Sequence, residues 1–287
     1  MDYPWGVLID LHTHTVASDG TQTPSELVAE AAGRGLDVLG LADHDTTAGW
    51  GEAGQAAREH GIILVPGIEI SCRHEGISIH LLGYLHDPRY EPLVDALAVA
   101  RESRSARAER IVANLARDLP LTMDDVRQQI STGATIGRPH IADAMIAAGI
   151  VADRDEAFRD YLFTGSKYYA RYQAPEVLDA VRLVAAAGGV AVMAHPFASS
   201  RGRVVDDEVI EAMTEAGLAG IEAHHVDHTP EQTRHTLELA DSLGLFVTGS
   251  SDYHGEGKAN RLADHVTRPD VLELLESLPT ATDVVRP

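Results

Sequence analysis

Histidine, aspartate and glutamate recur along the chain at positions where they could hold metal ions. His12 and His14 are two residues apart, and in a strand this spacing directs both imidazoles to the same side. The chain has 15 histidines in 287 residues, and histidine is the commonest metal ligand. Further candidate donors follow at Asp19, His44, Glu69, His80, His195, Asp252 and His254. These nine exceed what one catalytic ion uses, so we expect several ions, with a carboxylate bridging them.

The donor types narrow the choice of metal without fixing it. Imidazole and carboxylate without thiolate suit manganese, zinc or iron. The single cysteine, Cys72, excludes a cysteine-based zinc site and an internal disulfide framework, and it fits a reducing compartment.

Short apolar runs alternate with helical stretches and predict the elements that position these donors. We expect strands at 7–11, 38–41, 62–70, 77–84, 190–194, 220–223 and 245–248. The alternation indicates parallel βαβ units, and around seven of them favour an α/β barrel over an open sheet. Nearly every predicted strand has a donor near its C-terminal end, which is the face that holds the active site in parallel barrels.

Between residues 92 and 174 the pattern changes to consecutive helices, expected at 95–118, 124–130, 139–148 and 155–162. We interpret residues 1–91 and 175–287 as a catalytic barrel and 92–174 as an all-helical insertion that acts as a lid or substrate-binding subdomain. The arginine-containing run 101–117 is interrupted by Glu102 and Glu109, and its other face is apolar. A solvated amphipathic helix is therefore the favoured reading of this run.

The overall charge limits the range of partners. Lys+Arg 23 against Asp+Glu 44 gives a formal net charge of −21, which argues against a generic electrostatic grip on long nucleic acid or an anionic membrane. Residues 1–5 carry no basic or apolar leader, so we expect a cytoplasmic protein. The sequence does not predict an oligomeric state.

Three other sequence features give weaker evidence about function. Gly49-Trp50-Gly51-Glu52-Ala53-Gly54 matches the dinucleotide-binding fingerprint in letters, but residues 43–48 separate it from the preceding strand. The chain has no Gly-Lys-Ser/Thr phosphate loop, which argues against a kinase or motor. The cluster of His224, His225, Asp227 and His228 is assigned a supporting or surface role, with extra metal ligands or substrate contacts as the alternative.

The donor motifs, taken together, resemble those of the PHP (polymerase and histidinol phosphatase) family. The matching segments are His12-Thr13-His14 with Asp19, 42–45, 67–71, His80, His195-Pro196 and Asp252-Tyr253-His254. Gly137-Arg138-Pro139-His140-Ile141-Ala142, Ala157-Phe158, Tyr161-Leu162 and Gly165-Ser166-Lys167 are similar to motifs of stand-alone 3′,5′-nucleoside bisphosphate phosphatases. This resemblance implies a distorted (β/α)7 TIM-like barrel with two or three divalent ions, most often manganese.

The resemblance also implies a distribution of ligands. One ion is assigned to His12, His14 and Asp252, a second to His80 and His195 with Glu69 bridging the two, and a third to Asp19, His44 and His254. No lysine lies near the third or fourth predicted strand to serve as a carboxylated bridge. The expected chemistry is therefore phosphate ester hydrolysis, by in-line attack of a hydroxide held between the ions near Glu69.

Few cations are available to bind an anionic substrate. We expect phosphate contacts from Arg138, Lys167, Arg201 and Arg203, with Lys258 as the second of two lysines. Direct catalytic roles are expected for Glu69, His195, Asp252 and Arg138. The general acid is left unassigned.

The predicted activity is removal of the 3′-phosphate from a 3′,5′-nucleoside bisphosphate, such as adenosine 3′,5′-bisphosphate, to give 5′-AMP. Three alternatives stay open at this point: a 5′ to 3′ exonuclease or phosphodiesterase on short oligonucleotides, a histidinol-phosphate phosphatase, and a metal-binding regulatory module without catalysis. The last would have lost ligands, and all nine donor positions are filled here.

Overall fold

The computed structural model describes residues 6–287, and its centre is one seven-stranded sheet. The predicted absence of a leader at 1–5 lies outside the described residues. The strands are β1 (Ile9–Thr13), β2 (Val38–Leu41), β3 (Ile63–His74), β4 (Ile77–Tyr84), β5 (Val190–Met193), β6 (Leu218–His224) and β7 (Phe246–Gly249). All seven lie at or within a few residues of the predicted runs.

The sheet runs in chain order from β1 to β7 and is curled. Thr13, at the end of β1, forms an isolated parallel bridge with Tyr253, four residues after β7. The curl therefore brings the C-terminal ends of the first and last strands next to each other.

The expectation of uniformly parallel units is wrong for β4. This strand follows β3 after only two residues, Glu75 and Gly76, and pairs antiparallel with both β3 and β5. So short a connection permits a hairpin but not a parallel crossover. The reversal places His80 opposite Ser71, two residues beyond Glu69 on β3.

The described chain contains ten α-helices. They are α1 (Pro24–Gly33), α2 (Trp50–His60), α3 (Glu91–Leu115), α4 (Met123–Arg127), α5 (Arg138–Ala147), α6 (Arg154–Ala157), α7 (Val177–Ala186), α8 (Asp207–Glu215), α9 (Pro230–Leu243) and α10 (Pro269–Ser277). Capping boxes begin α1 at Thr23 with Glu26 and α9 at Thr229 with Gln232. Each Thr accepts a backbone hydrogen bond that the first turn would otherwise leave unmade.

From α3 to residue 162 the described chain consists of helices joined by loops and contains no strand, and α6 continues directly into one turn of π-helix, Phe158–Leu162. These helices share a hydrophobic core of their own, which includes Ile111, Leu115, Ile141 and Met145. At its N-terminal end α3 also packs on the sheet's core through Leu93 and Leu97. The division into a barrel and an insertion stays a prediction. Among residues 6–287, no helix has the length and apolar character needed to cross a membrane.

Candidate metal centre

The end of β1, the strand β3 and the segment after β7 bring four donors to one point. His12 Nε2 lies 3.3 Å from Glu69 Oε2 and 3.5 Å from Asp252 Oδ1. His14 Nε2 lies 3.2 Å from each of the same two oxygens. Ligand atoms of His12, His14, Glu69 and Asp252 fall within 4.8 Å of one another, and all four residues are buried. This arrangement can hold a metal ion.

A second group lies on the other side of His14. The side chains of His14, Asp19, His44 and His254 also offer ligand atoms within 4.8 Å of one another. His254 Nε2 is 3.3 Å from Asp19 Oδ1, and His44 Nε2 is 3.8 Å from Asp19 Oδ2. We call these four residues the Asp19 group.

Glu69 lies between these groups and the strand β4. Its Oε1 atom is 2.7 Å from His80 Nδ1 and 3.2 Å from His195 Nε2, and its Oε2 atom is 3.1 Å from His44 Nδ1. His44, Glu69 and His80 form a third group able to hold an ion, and His195 joins it through Glu69. All nine predicted donors therefore meet in one buried region around a single carboxylate.

The donor atoms fit metal ions better than they fit one another. Within the described chain, His12 Nε2, both ring nitrogens of His14, His44 Nδ1 and His80 Nδ1 are buried without a hydrogen bond, although carboxylate oxygens lie close to them. Buried polar atoms are rarely left without a partner. Nitrogen and oxygen lone pairs that converge on shared points are the arrangement that a divalent ion satisfies.

The pKa values of the donors differ across the group. At His14, burial lowers the pKa, but hydrogen bonds with Asp252 and Glu69 outweigh it and raise the pKa to about 9, so an ion bound there would displace a proton. Burial alone would raise the pKa of Glu69, but the nearby His44, His80 and His12 hold it well below its usual value. Burial and the charge of Arg201 lower the pKa of His195 to about 3, and burial with Lys258 lowers that of His254 to about 4. Glu69 is thus an anion and His195 and His254 are neutral at pH 7, which are the forms that bind metals.

A further buried carboxylate, Glu222 on β6, orients two of the donors. Its Oε1 atom is 3.2 Å from His12 Nδ1, and its Oε2 atom accepts the backbone N–H of His195 at 2.9 Å. Ser250 Oγ donates to Oε1 at 2.7 Å. A carboxylate on the outer nitrogen of a ligating imidazole fixes which ring nitrogen faces the metal. The sequence reading missed Glu222; the signal was a lone acid within the apolar run 220–223.

Asp43 and Asp45 flank His44 but turn away from the donors. Asp43 accepts hydrogen bonds from the Thr15 and Ser18 hydroxyls, each at 2.6 Å. Asp45 accepts the backbone N–H and hydroxyl of Ser71, both at 2.8 Å. Both aspartates hold the loops that surround the donors in place.

Two donors occupy unusual backbone conformations. His195 has φ 31° and Asp252 has φ 51°, values that side-chain-bearing residues adopt only when their surroundings impose them. Asp45 shares this property, with φ 55°. The contacts around the donors therefore hold these backbone segments in conformations that the residues would not adopt on their own.

Two cations reach Asp252 directly. Arg201, just after β5, donates to Asp252 Oδ2 at 2.5 Å and places Nη1 3.1 Å from His195 Nε2. Lys258 Nζ lies 2.8 Å from the same Asp252 oxygen. Arg201 also binds Asp227, and the buried His225 lies 3.5 Å from Asp252, so the 224–228 cluster supports the site from outside. The predicted partner Arg203 is exposed on the same loop.

The reading of 101–117 as a solvated helix face is wrong for its first half. Arg101, Arg104 and Arg107 are spaced three apart and all turn toward the protein. Arg104 Nε lies 2.9 Å from Asp45 Oδ2, and its Nη2 lies 2.5 Å from Ser71 Oγ. Arg101 donates to the Asp45 carbonyl at 2.7 Å. The three-residue spacing of these arginines was the signal that could have shown their common direction.

Arg138 joins these arginines. It donates to the carbonyl of Leu162 at 2.7 Å and lies over the Phe158 ring, with its central carbon 5.2 Å from the centroid. Burial, followed by the charge of Arg107, lowers its pKa to about 10. Arg107 in turn lies over Tyr172, 4.7 Å from the ring centroid. The predicted partner Lys167 instead donates to Asp118 at 2.6 Å and is 71% exposed.

Comparison with known proteins agrees with this site. The PHP domain family model matches residues 10–138. The chain is 34% identical over 258 residues to a 3′,5′-nucleoside bisphosphate phosphatase of Chromobacterium violaceum, covering 90% of each chain. It is 33% identical to a 5′-3′ exoribonuclease of Haemophilus influenzae, covering 85% of this chain and 89% of that one.

Among solved structures, a metal-dependent phosphoesterase from Bifidobacterium adolescentis is 43% identical. It superposes with a TM-score of 0.91 over 93% of this chain and 94% of the other. The overall arrangement described above is therefore shared with a phosphoesterase fold along nearly its whole length.

Proposed function

Because the chain belongs to the PHP family and is a metal-dependent phosphoesterase, we propose that it removes the 3′-phosphate from 3′,5′-nucleoside bisphosphates. In this proposal the curled sheet serves as a distorted (β/α)7 barrel, and the helices of 92–174 cover its catalytic end. The donors would hold two or three divalent ions, with manganese as the first choice.

This proposal rests on one observation: a cationic group formed by Arg104, Arg107 and Arg138 lies beside the metal donors. Ser71 and Glu69 lie two residues apart on β3, a span of about 6.6 Å along a strand, and Arg104 binds Ser71. The charges of Arg107 and Arg104 both lower the pKa of Arg138, so the three guanidinium groups are neighbours. Like charges this close repel one another, and among the described ion pairs only Arg104 of the three has a carboxylate partner, Asp45, so an anion bound beside them would be stabilised.

In this proposal the substrate occupies two separate phosphate positions. The donors around Glu69 take the reacting phosphoryl group, and Arg104, Arg107 and Arg138 take a second phosphate at the other end of a ribose. Guanidinium groups bind phosphate through two parallel hydrogen bonds, which fixes orientation as well as position. A nucleotide with phosphates on both O3′ and O5′ occupies both positions, whereas a monophosphate leaves one cationic group without a partner.

Each part of the donor group has its own role. Glu222 holds the His12 ring, and Glu69 faces both sides of the site with its two oxygens. Arg201 and Lys258 lie beside Asp252, where they can bind the oxygens of a phosphoryl group. When bound, divalent ions would activate water and polarise the phosphorus centre.

The test compares specificity constants under manganese. We expect adenosine 3′,5′-bisphosphate to exceed 5′-AMP, 3′-AMP, histidinol phosphate and a short 5′-phosphorylated oligonucleotide. Arg104→Met should remove the advantage over 3′-AMP, while a matched exposed arginine variant, Arg89→Met, should retain it; the Arg89 side chain is 90% exposed. Histidinol phosphate as the best substrate would contradict the proposal.

A 5′ to 3′ exonuclease acting on short oligonucleotides is the second candidate. The Haemophilus influenzae relative bears that name at nearly the same identity as the phosphatase. Such an enzyme would bind the 5′-phosphate of the terminal nucleotide with the same arginines and cut the 3′ phosphodiester. An oligonucleotide preferred more than about tenfold over the bisphosphate, or about 1.4 kcal/mol, would favour this candidate.

A further inference from the structure

Arg154, the first residue of α6, forms a well-buried pair with an aspartate of the neighbouring helix α5. Its Nε and Nη2 atoms each lie 2.6 Å from an oxygen of Asp143, on α5. The Arg154 side chain is 11% exposed. Two parallel hydrogen bonds hold the plane of the guanidinium group and leave its third nitrogen, Nη1, aimed in a fixed direction.

That third nitrogen reaches two loops of the metal centre. Nη1 lies 3.3 Å from the carbonyl of Gly257 and 3.5 Å from the carbonyl of Asp19. Asp19 is itself a donor, and Gly257 is three residues after the donor His254. One guanidinium group therefore joins α5 and α6 to the loops of Asp19 and His254, two of the segments that supply the Asp19 group.

Two backbone hydrogen bonds join the same segments to one another. The backbone N–H of Thr21 donates to the carbonyl of His254 at 3.1 Å, which joins the two loops to each other. The backbone N–H of Thr135 donates to the carbonyl of Ala17 at 3.0 Å, just ahead of α5. The loop of Asp19 is thus held between the sheet and the helical segment, and Arg154 is its only charged side-chain tie to α6 among the described contacts.

Gly257 provides the space for this contact. A Cβ atom at this position would overlap Arg154 Nη1, and the displaced group would be the movable end of the arginine. An alanine here therefore moves the guanidinium group without changing its charge.

We propose that Arg154 is a positioning residue for the Asp19 group, and that the helical segment thereby controls the affinity of one ion. The pair with Asp143 sets the direction of Nη1, and Nη1 sets the separation of the Asp19 and His254 loops. This inference rests on the proposed function only in that the Asp19 group binds an ion.

The test measures stepwise Mn²⁺ binding to the full chain by competition with a fluorescent chelator, without substrate. His254→Gln identifies which step belongs to the Asp19 group. Arg154→Met should weaken that step about 10- to 100-fold and leave the other steps unchanged, as expected when a residue that supports a ligand is removed. Gly257→Ala should weaken the same step. Arg159→Met is the control, because Arg159, in the π-helical turn that follows α6, pairs with the adjacent Asp160 and its side chain is 66% exposed.

A charge-swapped variant separates positioning from simple fold stability. Asp143→Arg with Arg154→Asp restores the ion pair but cannot restore the contacts of Nη1 with the two carbonyls. We expect its thermal midpoint to recover while the Asp19-group step stays weak.

Three results would overturn the proposal: unchanged binding in Arg154→Met, full recovery of the step in the swapped variant, or a His254→Gln variant that keeps every binding step of the unaltered chain. Because no substrate is present, none of these results depends on which phosphate ester the enzyme hydrolyses. A failure of the proposed substrate would instead appear only in the comparison of specificity constants.

Discussion

Glu222 Oε1 lies 3.2 Å from His12 Nδ1, so the opposite nitrogen of the ring is the one that faces Glu69 and Asp252. Both residues of this pair are fully buried. The pKa of Glu222 is lowered because the charges of His12 and His225 outweigh the cost of its burial. The carboxylate is therefore ionised and holds one tautomer of the His12 ring.

Glu222→Gln should weaken metal binding about 10- to 100-fold, since the amide no longer fixes that tautomer. Metal titration of the purified variant checks this. Glu211→Gln, an exposed acid on α8, is the matched control and should bind like the unaltered chain. Equal affinity in Glu222→Gln would show that His12 keeps its orientation without this carboxylate.

Glu69→Gln should reduce turnover by more than its loss of bound metal explains. The two Glu69 oxygens face different histidines, and an amide removes the charge that would balance two cations. Turnover per bound ion is the quantity to measure, using manganese-loaded protein of known metal content. Full turnover in Glu69→Gln would mean that this carboxylate bridges nothing.

Arg138→Ala should weaken hydrolysis of a bisphosphate much more than that of an aryl phosphate. Loss of a charge-assisted hydrogen bond of about 1.5–3 kcal/mol corresponds to a fall of about 10- to 150-fold in kcat/KM. The aryl phosphate is the internal control, because it has no second phosphate. Equal losses on both substrates would place Arg138 at the reacting phosphate.

The stability of the protein should fall with acid through His86, a buried histidine that is not one of the nine donors. Its ring is buried against Trp50, and neither ring nitrogen has a hydrogen bond in the described chain. Burial lowers its pKa from 6.5 to about 4. The folded protein therefore favours neutral His86, so this stability is fully present above pH 6.5 and is lost as the pH falls toward 4.

At pH 5 the loss from His86 amounts to about 2 kcal/mol. Urea unfolding with chelator present, at pH 7.5 and pH 5, should show a pH-dependent change smaller by this amount in His86→Gln. His60→Gln, at the exposed end of α2, is the control and should keep the full change. An identical pH dependence in His86→Gln would indicate that the ring takes up a proton as readily in the folded protein as in the unfolded chain.

Much of the donor region follows from residue type and spacing. Strand ends such as His12-Thr13-His14 and Asp252-Tyr253-His254 predict their own convergence, because the ends of parallel strands meet at one edge of a sheet. The antiparallel β4 was not predicted, since its apolar pattern is the same for either direction and only the two-residue connection to β3 distinguishes them.

The roles of the arginines depended on contacts that composition does not reveal. Arg104 looks like any charged residue of a surface helix, yet it pairs with Asp45, which is distant in sequence. Whether a long side chain faces solvent or a neighbour depends on how α3 packs against the sheet. Sequence periodicity on α3 alone could not establish that packing.

The central claim concerns which phosphate is removed and how its bond is cleaved. The direct measurement is hydrolysis of adenosine 3′,5′-bisphosphate by the manganese-loaded enzyme in ¹⁸O-labelled water, followed by ³¹P NMR. The account predicts 5′-AMP without label and inorganic phosphate carrying one ¹⁸O atom, because water attacks phosphorus at the 3′ position. Release of 3′-AMP, or label in the nucleotide product, would contradict it.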